Sequence, residues 1–164
     1  MNYFISDLHI GDINIIMYEH RPFKNILEMR KTIVKSWNNK IKDEDTVYLL
    51  GDIGDISILN ELNGKIVIVC GNHDNYNEIK DVFPNIEISK YPIMVDGFWL
   101  SHEPITFMPK ECPYLNIHGH LHSLIYGTED RTWIGGNRYF NVSVERVNYT
   151  PISQEEIARI MQYF

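Results

Sequence analysis

The stretch KIVIVCGNHD, residues 65–74, joins an apolar strand to a polar end, and it decides the fold class. Every residue from Ile66 to Cys70 is apolar, and most are β-branched, a composition that favours a buried β-strand. The apolar run stops at Gly71, and an amide, an imidazole and a carboxylate follow at once. The stretch therefore predicts the strongest strand of the chain, with potential ligands directly after it.

The same change from an apolar strand to polar side chains occurs at four other places. The apolar runs end there at Ile5, Leu50, Leu100 and Ile117. Helical patterns alternate with the strands. Apolar residues at a spacing of three or four predict a helix from about 26 to 41, and a shorter helix is predicted at about 56–62. In α/β sheets, sites form in the crevice beyond the strand ends. We therefore expect the five polar segments to converge.

The second half of the chain is richer in strand patterns. Strands are predicted at about 86–89, 92–95, 98–101, 114–117 and 139–144. The dipeptide Asp96-Gly97 is a strong hairpin signal between two of them. Ser153 and Glu156 have the spacing of a capping box, which predicts a C-terminal helix ending near residue 162.

Length, charge and cysteine content narrow the class of protein. The chain fits one globular domain spanning residues 1–164. Its net charge of -7 makes binding to long duplex nucleic acid unfavourable, because that requires many Lys and Arg contacts with phosphate. The two cysteines lack the CxxC spacing of thiolate zinc and redox sites. Without a signal-peptide pattern or an apolar run of about 20 residues, we expect a cytoplasmic protein with no membrane partner.

Six of the seven histidines lie in four short clusters with carboxylates or amides. The clusters are residues 7–9, 71–74, 101–103 and 118–122, and the segment 51–55 adds two carboxylates. Histidine is the commonest metal ligand. Oxygen and nitrogen ligands without sulfur suit Mn, Fe, Zn or Ni, and two such ions about 3.5–4 Å apart can clamp a phosphoryl group. We therefore expect a site for more than one metal ion.

Five ordered blocks run from Asp7 to His122: Asp-x-His, Gly-Asp-x-x-Asp, Gly-Asn-His-Asp, His and Gly-His-x-His. In this order they resemble the calcineurin-like metallophosphoesterase superfamily. Arg21-Pro22-Phe23 and Asn141-Val142-Ser143 are similar to segments of the small single-domain phosphoesterases of bacteria and phages. The resemblance implies an α/β fold, a four-layer α/β/β/α sandwich of two mixed sheets, with the site at the strand ends.

The resemblance also implies a role for each matching residue. His73 would bind no metal; it would lie at the scissile phosphate beside Asn72 and protonate the leaving oxygen. Asp55 would orient His73 through a carboxylate–imidazole hydrogen bond. The nucleophile would be a hydroxide bridging two divalent transition-metal ions, with manganese favoured and iron, zinc or nickel as alternatives. The first ion would be held by Asp7, His9, Asp52 and His122, and the second by Asp52, Asn72, His102 and His120.

Some residues have a second interpretation that the sequence leaves open. Asp55 is also placed to cap the helix that begins near Ile56, since Asp is a favoured N-cap residue. Arg21 either binds the substrate phosphate, which arginine recognises bidentately, or holds the fold together. His118 is interpreted as a supporting residue, and Asp74 as a turn or cap residue.

The favoured hypothesis is a dinuclear metal-dependent phosphoesterase for phosphomonoesters or phosphodiesters, with a small or nucleotide-like diester as the preferred substrate. One alternative is a nuclease acting on single-stranded ends, and another is a non-catalytic metal-binding interaction module. The segment Gly51 to Asp55 lacks the Arg-Gly that follows the second Asp in the protein phosphatases of the superfamily. This difference argues against a phosphoprotein substrate.

Overall fold

The computed structural model describes residues 1–106, 114–124 and 138–161. Its helices are α1 (Ile13–Tyr18), α2 (Ile26–Lys40), α3 (Tyr76–Val82) and α4 (Gln154–Met161), with a 3₁₀ helix at Ile56–Glu61. Its strands are β1 (Asn2–Ile5), β2 (Thr46–Leu49), β3 (Lys65–Val69), β4 (Glu87–Ser89), β5 (Ile93–Val95), β6 (Phe98–Ser101), β7 (Leu115–His118), β8 (Tyr139–Asn141) and β9 (Ile152–Ser153).

Two mixed sheets form the centre of the fold. The first has the strand order β4-β3-β2-β1-β9, in which β1 to β4 are parallel and β9 is antiparallel to β1. The second has the order β5-β6-β7-β8, in which β6 to β8 are parallel and β5 is antiparallel to β6. The predicted α/β fold with two mixed sheets is confirmed.

The first sheet is buried on both faces. On one face Trp37 of α2 is fully buried in a cluster that includes Ile5, together with side chains from α1, α3 and the 3₁₀ helix. On the other face Phe4 packs in a cluster with Leu100 of the second sheet. Successive residues of a strand point to opposite faces, which places the neighbours Phe4 and Ile5 in different clusters. Helices therefore cover one face of this sheet, and the second sheet covers the other.

Most predicted elements lie within one or two residues of the observed ones, but α1, α3 and β9 were not predicted. Each is short. The N-cap residues that begin the two helices are Asp12, whose side chain accepts the N–H of Asn14, and Asn75, whose side chain accepts the N–H groups of Asn77 and Glu78. Helices of six and seven residues give too few turns for an apolar periodicity to stand out.

The capping box and the hairpin are both confirmed. The Ser153 N–H donates to Glu156 Oε2 at 2.8 Å, and the Glu156 N–H donates to Ser153 Oγ at 3.1 Å. Asp96 and Gly97 join β5 to β6 with positive φ angles of 48° and 84°. In the described part of the chain, no helix has the length and apolar character that crossing a bilayer requires.

Candidate metal centre

The polar segments that follow β1, β2, β6 and β7 are joined by backbone hydrogen bonds. The N–H of Asp7 donates to Gly51 O at 3.0 Å, and the N–H of His9 donates to Asp52 O at 2.9 Å. In the second sheet, the N–H of Gly119 donates to His102 O at 2.9 Å. Because the strands that lead into these segments are parallel within each sheet, their ends meet at one edge, as the sequence predicted.

The first group of candidate ligands consists of Asp7, His9 and His122. Their ligand atoms all lie within 4.8 Å of one another. His122 Nε2 is 3.9 Å from Asp7 Oδ1, and the rings of His9 and His122 have their centroids 5.2 Å apart. This is the set that the sequence assigned to one ion, apart from the bridging Asp52.

The second group consists of Asp52, His102 and His120, again with ligand atoms within 4.8 Å of one another. Asn72 completes it, because its Oδ1 lies 3.0 Å from His102 Nε2 and 3.1 Å from His120 Nδ1. The two ring nitrogens are themselves 3.2 Å apart. Two imidazole nitrogens, an amide oxygen and a carboxylate therefore converge, and these are the residues that the resemblance would place around the second ion.

Asp52 lies between the two groups. Its Oδ2 is 3.5 Å from His9 Nε2 and 3.4 Å from His102 Nε2, so one oxygen faces both sets of ligands. Its Oδ1 accepts the backbone N–H of His73 at 3.0 Å. Burial opposes ionisation of this carboxyl, but the hydrogen bond and charge of His102 and the His73 N–H outweigh it and lower the pKa to about 2. The carboxylate is therefore ionised at neutral pH, as a ligand shared by two cations must be.

The hydrogen bonds of the imidazoles fix which nitrogen faces the centre. His102 Nδ1 lies 2.8 Å from the carbonyl oxygen of Leu50, to which it donates, so Nε2 points at the other ligands. His122 Nδ1 lies 3.3 Å from Glu145 Oε1, which likewise directs Nε2 toward Asp7. Metal-binding histidines usually donate their second ring nitrogen to a carbonyl or carboxylate in this way.

His9 gives a further sign that the site suits a cation. In the described part of the chain, its Nε2 is buried without a hydrogen-bond partner and lies 3.5 Å from the Asp52 carboxylate. A buried polar atom without a partner is unfavourable by about 1–3 kcal/mol, and a metal ion accepts such a lone pair directly. The donor set of imidazoles, carboxylates and one amide fits two divalent transition-metal ions.

Five of the seven candidate ligands have a left-handed backbone. Their φ angles lie between 47° and 67°; the residues are Asp7, His9, Asp52, His120 and His122. For residues other than glycine this region costs about 1–3 kcal/mol each, and such residues cluster at functional sites. The conformation turns the chain sharply after each strand, which aims the following side chain into the crevice.

Two glycines allow the close approaches of these loops. Gly51 has a φ of +88°, and a Cβ there would lie 2.6 Å from the Cα of Gly71. At Gly119 a Cβ would overlap the side chains of Ser6 and Asp7. The absence of a side chain at Gly119 allows this approach, which lets the N–H of His120 donate to Asp7 Oδ2 at 2.9 Å.

His73 lies beside the metal ligands without belonging to either group. Its side chain is exposed, and its ring centroid is 5.5 Å from that of His9. The predicted support from Asp55 is not among the hydrogen bonds of the described residues. Instead, Asp55 Oδ1 accepts the N–H of Ser57 at the start of the 3₁₀ helix, and Oδ2 pairs with Arg30 at 2.9 Å. The structure thus shows the capping role of Asp55. Among the hydrogen bonds of the described residues, none joins Asp55 to His73 as the orienting role would require.

Arg21 holds the fold and does not face a substrate. Its side chain is completely buried and forms an ion pair with Glu145 at 2.6 Å. Its guanidinium also donates to the backbone carbonyls of Asp7 at 2.7 Å and Leu8 at 2.8 Å. The prediction that Arg21 binds the substrate phosphate is wrong, because its nitrogens are committed to internal acceptors.

Two acidic residues support the site without having been assigned a role there. Glu145 accepts from Arg21 and lies against His122. Asp74 connects the β2 and β3 loops, because its Oδ2 accepts the N–H groups of Asp52 and Gly71, each at 2.8 Å. The sequence suggested a turn or cap role for Asp74 from its position after the histidine. No sequence signal marked Glu145, which follows the last predicted strand by one residue.

His118 is buried below the site. Its Nδ1 donates to the carbonyl oxygen of Gly119 at 2.9 Å, and its ring lies against Tyr139 with centroids 6.2 Å apart. Burial lowers its pKa to about 4, so it is neutral at physiological pH. It belongs to none of the candidate metal-binding groups in the described residues, in keeping with its interpretation as a supporting residue.

The chain belongs to the calcineurin-like phosphoesterase superfamily, whose domain profile matches residues 2–141. An uncharacterised protein of Methanocaldococcus jannaschii is 38% identical, over 98% of this chain and 90% of that protein. A probable cyclic nucleotide phosphodiesterase of Fibrobacter succinogenes is 28% identical, over 48% of this chain and 32% of its own length. A crystal structure of a protein of unknown function from Aquifex aeolicus matches with a TM-score of 0.74 and 29% identity, over 98% of both chains. Membership places the chain among hydrolases that act on phosphate esters.

Proposed function

We propose that this protein is a dinuclear metal-dependent phosphodiesterase. The observation that carries the proposal is the position of Asp52 Oδ2, which lies within 3.5 Å of an imidazole nitrogen from each group of ligands. One carboxylate that faces both groups of candidate ligands is the arrangement that a bridged pair of ions requires. His73 lies close to the ligands but outside both groups, and it is the candidate proton donor.

The residues that would hold the ions follow from the two groups. Asp7, His9 and His122 would bind one, while Asn72, His102 and His120 would bind the other, and Asp52 would bridge. Manganese is favoured on the resemblance to the superfamily, and iron, zinc or nickel would also suit this set of oxygen and imidazole ligands. When bound, such a pair of ions activates water as a nucleophile and neutralises charge on the phosphoryl oxygens.

His73 has the position of a general acid. Its backbone is fixed by the hydrogen bond to Asp52, and its exposed ring projects beside His9. In hydrolysis, water supplies the new oxygen on phosphorus while the bond to the leaving oxygen breaks. The leaving oxygen keeps the electron pair of that bond and takes a proton from His73. General acid catalysis of this kind contributes about 10²–10⁴-fold in rate.

A small or nucleotide-like diester is the proposed substrate. The relative named as a probable cyclic nucleotide phosphodiesterase supports this class, although it matches about half of the chain. The net charge of -7 weighs against a long nucleic acid, whose binding depends on many cationic contacts. The metal centre is the source of positive charge that a phosphate diester needs, because bound cations reverse the local field.

The test is hydrolysis of bis-p-nitrophenyl phosphate by the Mn²⁺-loaded protein. We expect His73→Ala and Asn72→Ala each to lose at least about 10²-fold in kcat/KM. The control is Asn85→Ala, an exposed amide that follows α3. Wild-type turnover in both site variants would refute the assignment. Metal uptake without turnover would instead favour an interaction module, and salt-sensitive cleavage of a labelled oligonucleotide would favour a nuclease.

A further inference from the structure

A polar groove adjoins the metal centre at His73. It has a volume of about 420 Å³, and its side chains include His73, Asn75, Tyr76, Asn77 and Lys90. Small-molecule sites typically measure about 300–1,000 Å³. His73 borders both the groove and the metal centre, so a group leaving from the scissile phosphate on the His73 side enters this groove.

The sheet brings Lys90 to this edge. β4 is the neighbour of β3, and the N–H of Cys70 donates to the carbonyl oxygen of Ser89 at 2.9 Å, directly before Lys90. The Ser89 hydroxyl then donates to Tyr91 O at 2.8 Å and accepts the Tyr91 N–H at 3.1 Å. These two bonds close a turn around Lys90, which fixes its backbone at the edge of the sheet that carries the metal ligands.

The Lys90 side chain is held by an aromatic ring, and no carboxylate is paired with it. Its Nζ lies 4.5 Å from the centroid of the Tyr76 ring, a cation–π contact. Asp74 also lines the groove, but its oxygens accept backbone N–H groups of Asp52, Ile53 and Gly71. Within the described residues, Lys90 forms no salt bridge, so its charge is available to an anion in the groove.

We propose that the groove receives the leaving group and that Lys90 recognises a second negative charge on it. The preferred substrate class is then a phosphodiester whose leaving alcohol carries its own phosphate, as in a 5′-phosphorylated dinucleotide. This inference rests on the proposed function, because it requires His73 to face the leaving oxygen. The reaction is hydrolysis, in which the P–O bond to that oxygen breaks, His73 protonates the oxygen, and water supplies the new P–O bond and returns a proton to solvent.

The experiment compares two dinucleotides with the Mn²⁺-loaded protein. One is the thymidine dinucleotide with a 5′-phosphate, and the other is the same dinucleotide without it. We expect the wild type to prefer the phosphorylated one by about fivefold in kcat/KM at low salt, since a charge pair about 4 Å apart in water is worth about 1 kcal/mol. The phosphorylated dinucleotide should give thymidine 5′-phosphate as its one product, and the preference should weaken in 0.5 M salt.

Substitution at Lys90 separates this inference from the proposed function. Lys90→Met should abolish the preference by lowering kcat/KM for the phosphorylated dinucleotide to the value for the unphosphorylated one, and Lys90→Arg should keep most of the preference. Lys65→Met is the matched control, because Lys65 begins β3 at the end away from the groove and pairs with Glu87 there. A preference that survives Lys90→Met, or release of free thymidine from the phosphorylated dinucleotide, overturns the inference alone. If the wild type hydrolyses neither dinucleotide and not bis-p-nitrophenyl phosphate either, the proposed function is overturned as well.

Discussion

Replacing Arg21 by methionine tests the finding that this residue holds the metal-site loops and does not bind substrate. The substitution removes a fully buried cation and leaves Glu145, which is 6% exposed, with only the His122 imidazole beside it among the partners described above. Breaking a buried ion pair in this way costs about 3–5 kcal/mol, because one charge stays buried and uncompensated. The carbonyl oxygens of Asp7 and Leu8 also lose their donor.

The expected result is a large loss of thermal stability. A chain of this size loses about 2–4 °C in Tm per kcal/mol, so Arg21→Met should melt roughly 6–20 °C lower. The measurement is differential scanning calorimetry of the metal-free protein at pH 7.5. Arg30→Met is the matched control, because Arg30 is also a paired guanidinium, but its partners Asp55 and Glu61 are about half exposed. Exposed pairs contribute about 0–1 kcal/mol.

The double variant Arg21→Met with Glu145→Gln sharpens the test. If the cost comes from the unpaired carboxylate, neutralising Glu145 should recover part of the lost stability, so that the two effects are not additive. An Arg21→Met protein that melts within 2 °C of wild type and binds substrate about tenfold more weakly would refute the structural role and restore the substrate-binding one.

Three further predictions concern the site and its surroundings. In the metal-free protein, burial opposes protonation of His102, but Asp52 and Asp7 outweigh it and raise its pKa to about 9. Because a metal ligand must lose this proton, metal binding at pH 7.5 should release about one proton and weaken as the pH falls. Calorimetry of metal binding in Tris and in HEPES measures this release, and equal heats in the two buffers would contradict it. Burial and the charge of Asp74 raise the pKa of Cys70 to about 11. In a Cys112→Ser variant, iodoacetamide should therefore modify Cys70 at pH 8 more than tenfold slower than free cysteine. An equal rate would show an exposed thiolate. Asp74→Asn should cost about 1–3 kcal/mol in urea unfolding, because an amide cannot accept all three N–H groups, whereas Asp81→Asn on the exposed face of α3 should change little.

The sequence predicted the parts of the site that depend on strand ends. The residue types and their order predicted that Asp7, Asn72 and His122 would lie close together, because parallel strands bring their ends to one edge, whatever their separation in the chain. It also predicted the long helix α2, whose apolar face repeats over four turns. Cys112 lies outside the described residues.

The roles of Arg21 and Asp55 could not be settled in the same way. Each depends on which partner a long polar side chain meets in three dimensions. Arg21 meets Glu145, 124 positions away, and Asp55 meets Arg30 across the gap between two helices. A resemblance between motifs carries over residue types at strand ends, but it carries no information about such distant pairs. The contribution of Glu145 was missed for the same reason.

The left-handed backbone of the candidate ligands lowers the stability of the metal-free fold, while it positions the side chains that would bind metal. Replacing His9 by glycine would relieve a φ of 47°, a conformation that costs a residue with a side chain about 1–2 kcal/mol, while removing an imidazole from the first group of ligands. Selection for metal binding is thus what keeps these residues in a backbone conformation that would otherwise favour glycine.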